Sequence, residues 1–360
     1  MPHRQSYAEP ETPFLDLPSA PESTGKRRRR RPRWQRVTLI TFLVLAVLGG
    51  GGVIAGGLYL RSVESGIDRV DAFTDVPEAE RPQVAPAARG AMNILILGSD
   101  SRDPENSSGS RTDTIILAHL PKDRSSAQLI SIPRDTWVSV PRAKDGRNGG
   151  RDAKINAAFA WGGVPLMVQT LEKFTSIRID HVAMVDFAGF KEIVDALGGI
   201  EITIDRGFTS THSLNADSRR TFHAGRQTID GAAALDYARE RYAFADGDFS
   251  RIRHQQQVIK AILDKASSGG VLANPGKLNS FIKATADSVS VDKSLSILDL
   301  AMELRHLRSG NLHFYTCPTK GTGRIGSESV VLADKAKVPA FFDAVRSDKV
   351  DELTHIAQPS

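Results

Sequence analysis

Short runs of apolar residues bounded by turn residues recur along the chain after residue 90. The run at 92–97 ends at Gly98 and is typical of a strand buried on both faces. Two similar runs follow at 114–120 and 128–132. Apolar residues with helical spacing occupy 163–175, 187–197, 230–241 and 249–268. This alternation predicts an α/β fold, a three-layer α/β/α domain with a mainly buried central sheet.

Within that domain the order of the patterns indicates how some elements connect. Strands predicted at 181–185 and 200–204 bracket the helix at 187–197, which indicates a βαβ-like unit. Past residue 270 we expect further helical stretches and then three elements in sequence. These are a strand at 312–316, a glycine-rich loop at 319–329 and a last helix at 338–345.

The longest apolar segment precedes the domain. Residues 37–60 carry no charge, and as a helix they would be about 36 Å long, enough to cross a hydrocarbon core of about 30 Å. The polar stretch before them is too long for a typical cleaved signal, so an uncleaved signal-anchor is predicted. The basic cluster at 26–36 then places the N-terminus in the cytoplasm and the rest of the chain outside the cell membrane.

These patterns divide the chain into five parts. They are a disordered basic cytoplasmic tail at 1–36, a transmembrane signal-anchor helix at 37–60, an extracellular stalk at 61–90, a folded exterior domain at 91–350 and a C-terminal tail at 351–360.

Charge and cysteine content exclude two classes of protein. The net charge of +5 is held by residues 1–36, with nine positive and four negative side chains, so no basic footprint for nucleic acid extends along the chain. Cys317 is the single cysteine, and no Cys/His cluster has zinc-ligand spacing. We expect Cys317 to be a small buried apolar residue.

Paired acidic and basic residues flank the first two predicted strands. Asp100 and Arg102 follow the first strand, and Arg111 and Asp113 open the second. Two aspartates at adjacent strand ends could share Mg²⁺, with waters and substrate phosphates completing its coordination. Alternatively, each aspartate could pair with its neighbouring arginine or cap a turn.

Further basic residues in later segments, with acidic and amide side chains beside them, suit an anion. The side chains in question are Arg134 and Asp135 after the third strand, Lys154 and Asn156 at the start of a helix, and Arg239, Arg241, Asp248, Arg251 and Gln255 in the segment YARERYAFADGDFSRIRHQQQ. We expect Asp248 to be the N-cap of the helix that carries Arg251 and Gln255 on one face. A guanidinium matches two phosphate oxygens, so this cluster suits a pyrophosphate. An ion-paired surface hairpin is the alternative.

Taken in order, these segments resemble the LytR-CpsA-Psr family over roughly residues 91–346. The matching stretches are NILILGSDSR, RTDTIILAHL, ISIPRDTWV, KINAAFAWGG, VDFAGFKEIVDALGGIEI, IDGAAALDYARERY and GDFSRIRHQQQ. The resemblance implies a membrane-anchored phosphotransferase with its catalytic domain outside. Its donor would be a wall glycopolymer on a polyprenyl-pyrophosphate carrier, its acceptor peptidoglycan, and its product a phosphodiester. A long apolar pocket for the prenyl chain, between the sheet and its helices, is also implied.

The resemblance assigns roles by matched position. Asp100 and Asp113 would be the Mg²⁺-associated carboxylates. The catalytic set would be Arg134, Asp135, Arg239, Arg241 and Asp248. The sequence does not single out a general base, and Asp135 and Asp248 are the candidates. The substrate-binding set would be Arg102, Arg111, Lys154, Asn156, Arg251 and Gln255. One position departs from the family, because His254 stands where an arginine often precedes the glutamine.

Two other functions remain open from the sequence. With water as acceptor the same site would be a polyprenyl-pyrophosphate hydrolase. A membrane-tethered protein that binds polyprenyl lipid or wall polymer without turnover belongs to a different class. The full set of carboxylates and arginines favours an enzyme, because a binding protein would not need all of them.

Overall fold

A computed structural model describes residues 62–99, 112–211, 219–304 and 306–357. The predicted cytoplasmic tail and signal-anchor lie outside these residues, as do Asp100, Arg102 and Arg111. In the described part of the chain, no helix combines the length and the apolar character needed to cross a membrane.

A seven-stranded mixed sheet lies at the centre of the described residues. Its strands, in spatial order, are β1 (Asp68–Val70), β12 (Val289–Asp292), β7 (His181–Asp186), β2 (Met92–Ser99), β3 (Thr112–Leu120), β4 (Ala127–Ser131) and β13 (Leu312–Thr316). Strand β2 is antiparallel to β3 and parallel to β7, and β3 is antiparallel to β4. The three apolar runs predicted as strands at the start of the domain are therefore neighbours in one sheet.

Smaller strand pairs and the helices surround this sheet. The pairs are β5 (Trp137–Val140) with β6 (Arg151–Lys154), β8 (Ile200–Ile204) with β11 (Gly225–Ile229), β9 (Phe208–Thr209) with β10 (Thr221–Phe222), and β14 (Thr319–Ile325) with β15 (Glu328–Ala333). The helices are α1 (Asn156–Thr175), α2 (Phe187–Ala196), α3 (Gly231–Arg239), α4 (Asp248–Ala266), α5 (Gly269–Leu272), α6 (Pro275–Ser288), α7 (Ile297–Glu303), α8 (Lys337–Arg346) and α9 (Leu353–Ile356).

Helices cover both faces of the sheet. Successive side chains of a strand point to opposite faces. Leu95 accordingly joins a core that includes residues of α1 and α8, whereas Ile94 packs in a second core with Ile259 of α4 and Leu300 of α7. The fold is thus mixed α/β around a central mixed sheet. Leu353 of α9 is fully buried in the first core, and Cys317 is buried there as expected, which raises the pKa of its thiol.

Two predictions about local structure are wrong, one about the pairing of a strand and one about a loop. Strand β8 does not join the central sheet beside β7 but pairs antiparallel with β11, so residues 181–204 do not form a βαβ unit. Its sequence IEITI alternates buried and exposed side chains, which suits a peripheral two-stranded ribbon with one solvent-exposed face. The segment at 319–329 is a β-hairpin rather than a loop, and the Val331 N–H of β15 fixes it by donating to the Asp135 carbonyl at 2.8 Å.

Candidate active site

Four strands bring their loops to one edge of the central sheet. Ser99, at the end of β2, pairs with Thr112 at the start of β3 and with Asp186 at the end of β7. Strand β4 runs antiparallel to β3, so it ends at this edge and is followed by Arg134. The first two predicted strands are thus paired, and the end of β2 lies beside Thr112 and Asp113.

A β-bulge aims Asp113 into the site. Gly98 pairs with Thr114 and Ser99 with Thr112, which leaves Asp113 as the extra residue on β3. The buried Thr112 hydroxyl holds this irregularity by hydrogen bonding to the Gly98 carbonyl at 3.0 Å. Bulges commonly redirect a side chain next to a functional site. The sequence pattern of a continuous strand gives no sign of this one.

Asp113 is held by two arginines from different loops. The Arg134 guanidinium donates to one of its carboxylate oxygens, and the Nη2 atom of Arg239 lies 3.6 Å from the other. The Arg239 guanidinium also stacks over the Phe187 ring at 4.2 Å. The Nε atoms of both arginines are buried and have no hydrogen-bond acceptor among the described residues. Buried donors without acceptors are costly, so this arrangement suits a ligand rich in oxygen acceptors.

A second set of charges adjoins the first. Asp135 lies 3.8 Å from the Nη1 atom of Arg241 and 3.7 Å from the Nζ atom of Lys154. Glu328, at the tip of the β14–β15 hairpin, also lies 3.7 Å from Lys154. Asn156 supports the loop that carries Arg134 and Asp135, since its backbone N–H donates to the Arg134 carbonyl at 3.1 Å. Sequence analysis missed Glu328 because the hairpin was predicted as a loop.

Glu240 explains how two arginines only two residues apart both face the site. Helix α3 ends at Arg239, and the fully buried Glu240 carboxylate accepts the backbone N–H groups of residues 241–243 at 2.7–3.0 Å and that of Thr211 at 2.6 Å. These bonds turn the chain so that Arg241 reaches Asp135. Burial acts to raise the pKa of Glu240, but hydrogen bonds from the Thr211 and Ala243 backbone and from the Ser210 and Thr211 hydroxyls lower it below its usual value.

Asp248 and Arg251 form a buried ion pair at the start of α4. Asp248 is the first residue of this helix, and the cap position belongs to Gly247 with φ of 47°, so the predicted N-cap role of Asp248 is wrong. Its carboxylate turns instead to the Arg251 guanidinium, one turn along the helix. Burial raises the pKa of Asp248 and lowers that of Arg251. The charges of Arg134 and Arg241 act on both groups, which places the pair beside the other arginines.

His254 does not stand in for an arginine. Its ring stacks on Tyr237 at 4.2 Å, and its Nδ1 atom lies 3.1 Å from the Tyr237 carbonyl. Burial lowers the pKa of His254 to about 4, so the ring is neutral at pH 7. Arg253 points to the exposed side and donates to Asp246 at 2.6 Å. Gln255, which follows His254, lines the apolar cavity described below.

The depressed His254 pKa predicts an acid-sensitive contribution to stability. The unfolded chain binds a proton at this ring below pH 6.5 and the folded chain only below about pH 4. The contribution of the neutral His254 ring to the free energy of unfolding is therefore complete above pH 6.5. It falls by about 3 kcal/mol as the pH drops from 6.5 to about 4. The free energy of unfolding of wild type minus that of His254→Phe should decrease by this amount between pH 7 and pH 4. Parallel pH profiles of the two proteins would contradict the assignment.

An apolar cavity of about 300 Å³ opens from the charged cluster. Asp113 and Arg239 belong to its lining as well as to the ion-paired network, so the two are continuous. The walls come from the sheet and from helices α2, α3, α4 and α6. They include Ile96, Ile116, Phe190, Val258, Ile259 and Phe281. The arrangement can hold an anion at the cluster and an apolar chain in the cavity.

The structure brings most of the predicted site residues to this region. Those placed at the cluster or in the cavity wall are Asp113, Arg134, Asp135, Lys154, Arg239, Arg241, Asp248, Arg251 and Gln255, with Asn156 behind the Arg134 loop. Of the two predicted magnesium carboxylates, Asp113 is present and Asp100 lies outside the described residues. Within the described ranges, no group of three or more His, Cys, Asp or Glu side chains could hold a metal ion.

Comparison with known proteins identifies similar chains over most of this length. The model of the LytR_cpsA_psr family matches residues 61–346. The cell wall biosynthesis protein LcpA of Corynebacterium glutamicum is 30% identical over 92% of this chain and 69% of its own. The polyisoprenyl-teichoic acid–peptidoglycan teichoic acid transferase TagU of Bacillus cereus is 33% identical over 66% of this chain and 74% of its own.

Solved structures share the fold. The crystal structure of Bacillus subtilis TagV is 28% identical with a TM-score of 0.58, and the match covers 73% of this chain and 97% of that one. A LytR-Csp2A-Psr enzyme from Actinomyces oris, 22% identical with a TM-score of 0.58, matches over 82% of this chain and 99% of its own.

Proposed function

Because the chain belongs to the LytR-CpsA-Psr family, we propose that it transfers a wall glycopolymer from a polyprenyl-pyrophosphate carrier to peptidoglycan through a phosphodiester bond. The names of relatives as teichoic acid transferases support this activity. The observation that carries the proposal is the continuity of the charged cluster with the apolar cavity at Asp113 and Arg239. A ligand with a diphosphate and a long apolar chain would match both parts.

The arginines would bind and orient the diphosphate. Arg134 and Arg239 each have a buried Nε without a hydrogen-bond acceptor among the described residues, and phosphate oxygens would supply the missing acceptors. Transfer at phosphorus depends mainly on positioning and on neutralising charge. Arg241 and Lys154, which lie on either side of Asp135, extend the positive charge along the donor.

The bond changes follow from the donor. An acceptor sugar hydroxyl attacks the phosphorus that carries the glycopolymer, and the bond from that phosphorus to the bridging oxygen breaks. Polyprenyl phosphate leaves with the bridging oxygen and its electron pair. Asp135 is the better placed of the two candidate bases, since its side chain is 21% exposed and that of Asp248 is 7% exposed and ion-paired with Arg251. It would accept the hydroxyl proton.

Magnesium is proposed at the same cluster. Mg²⁺ commonly takes one or two protein carboxylates and completes its coordination with waters and substrate phosphates. Asp113, aimed into the site by the bulge, fits one such ligand, and Asp100, next after Ser99, would be the other. When bound, the ion would neutralise charge on the diphosphate.

We also propose that residues 37–60 anchor the chain in the cell membrane with the catalytic domain outside, where peptidoglycan lies. The support is the uncharged span and the basic cluster before it. Protease added outside intact cells with a permeable wall should then digest the domain. Complete protection would contradict this orientation.

An assay of acceptor dependence separates transfer from the alternatives. Purified full-length protein should release polyprenyl phosphate from a lipid-linked donor only when Mg²⁺ and peptidoglycan are both present. Equal release without peptidoglycan would indicate a hydrolase. Donor binding without any release would indicate a binding protein.

A further inference from the structure

A second cavity lies next to the one that opens from the charged cluster. It measures about 190 Å³, and its walls include Ile67, Ile282, Val289 and Leu298. Phe281 and Thr285 of helix α6, one turn apart on the same face, line both cavities. Helix α6 is therefore a wall that the two cavities share.

Glu64 and Thr285 carry the two polar side chains among the described lining residues of the second cavity. The Glu64 carboxylate lies 3.8 Å from the Nη2 atom of Arg69. The Thr285 hydroxyl donates to the Phe281 carbonyl at 2.8 Å. The other lining side chains are apolar. The chemistry of this mainly apolar surface therefore suits an uncharged hydrocarbon chain.

We propose that the second cavity binds the distal isoprene units of the polyprenyl chain whose diphosphate lies at Asp113 and Arg239. The inference rests on the proposed function and extends it to chain length. The first cavity would hold the isoprene units nearest the diphosphate, and Phe281 and Thr285 would line the passage between the two cavities. A donor long enough to pass them gains apolar contact that a short donor lacks.

The position of the second cavity along the chain supports this occupant. Its lining includes Val63, Glu64 and Ile67, which follow the uncharged segment 37–60 within a few residues. If that segment anchors the chain, this opening lies near the point where the chain leaves the membrane. The tail of a lipid-linked donor starts from the same place, so it could pass directly into the cavity.

Ala301→Trp tests the proposal because the residue lines the second cavity and is exposed, so a larger side chain fills the cavity without disturbing the core. The matched control is Met302→Trp, an exposed neighbour on α7 outside that lining. Binding of polyprenyl phosphates to the full-length protein would be measured with a short chain of about three isoprene units and a long one of about ten.

The expected result is a difference between the two lipids. Ala301→Trp should weaken binding of the long chain by about tenfold or more and leave the short chain within about twofold, because only the long chain reaches the filled cavity. Met302→Trp should change neither. Equal effects on both lipids, or no effect on the long one, would overturn the proposal. A change in oligomeric state without a change in lipid binding would also overturn it, because it would indicate a second protein copy as the occupant.

The readout is independent of transfer. Chain-length-dependent binding without any transfer to peptidoglycan would leave this inference standing and contradict the proposed function. Transfer that is equally sensitive to Ala301→Trp with short and long donors would contradict this inference and leave the proposed function standing.

Discussion

Asp113→Asn should lower the rate of polymer transfer by about 10²–10³-fold, the usual cost of removing one pre-positioned electrostatic group. Asp113 contacts both Arg134 and Arg239 at the mouth of the apolar cavity. Its loss frees the two arginines from their common partner and removes a proposed magnesium ligand. Half-maximal transfer should consequently require a higher Mg²⁺ concentration. Stability should fall by about 1–2 kcal/mol, because the charge-assisted hydrogen bond from Arg134 and the ion pair with Arg239 are weakened.

Asp246→Asn is the matched control for this experiment. It also removes a carboxylate that pairs with an arginine, Arg253 at 2.6 Å, but on the exposed side of α4. Transfer should remain close to wild type, and the free energy of unfolding should change by less than about 1 kcal/mol. If Asp113→Asn transfers polymer as fast as this control, Asp113 has no part in the reaction.

Glu240→Ala should destabilise the protein by about 3–5 kcal/mol, because four backbone N–H groups would lose the buried carboxylate that accepts them. Glu240→Gln keeps one acceptor oxygen and nearly the same shape, so it should fold. We expect this variant to bind polyprenyl diphosphate about tenfold or more weakly, since Arg239 and Arg241 lose the anchor between them. Binding of polyprenol, which lacks phosphate, should be unchanged, because the apolar cavity is intact.

Glu172→Gln separates positioning from general stability. Glu172 is also a buried glutamate that accepts a backbone N–H, that of Ile179 at 2.9 Å, and it pairs with Arg81 at 2.8 Å. It lies outside the charged cluster and the cavity lining. A loss of stability without a loss of diphosphate binding is expected. If both glutamine variants weaken diphosphate binding equally, Glu240 is only a structural residue.

Local pattern predicted much of the fold. The runs in β2, β3 and β4 are apolar on both faces, and this pattern is typical of a covered sheet. The helices around Arg239 and Arg251 were also evident, because apolar residues repeat at helical spacing on either side of a glycine-containing loop. The partner of β8 was not evident, since strand pairing depends on contacts distant in sequence.

The residue types of the site could be predicted from the sequence, but the pairs that they form could not. The arginines and aspartates were evident from their density after strand ends. Their pairing was not, because the Asp113 contacts depend on a bulge that one residue of register creates. Glu240 lies between two arginines in the sequence and would pass for a surface ion-pairing residue. Its carboxylate can be buried because backbone N–H groups around it donate hydrogen bonds to its oxygens.

Oxygen-18 labelling tests transfer most directly. The full-length protein would be incubated with lipid-linked donor, Mg²⁺ and peptidoglycan in water enriched in oxygen-18, and the phosphate joining polymer to peptidoglycan would be analysed by mass spectrometry. Transfer to a sugar hydroxyl predicts polymer joined to peptidoglycan with no oxygen-18 in that phosphate, and one polyprenyl phosphate released for each bond formed. Oxygen-18 in the phosphate of released polymer, with none joined to peptidoglycan, would show that water is the acceptor and would contradict the account.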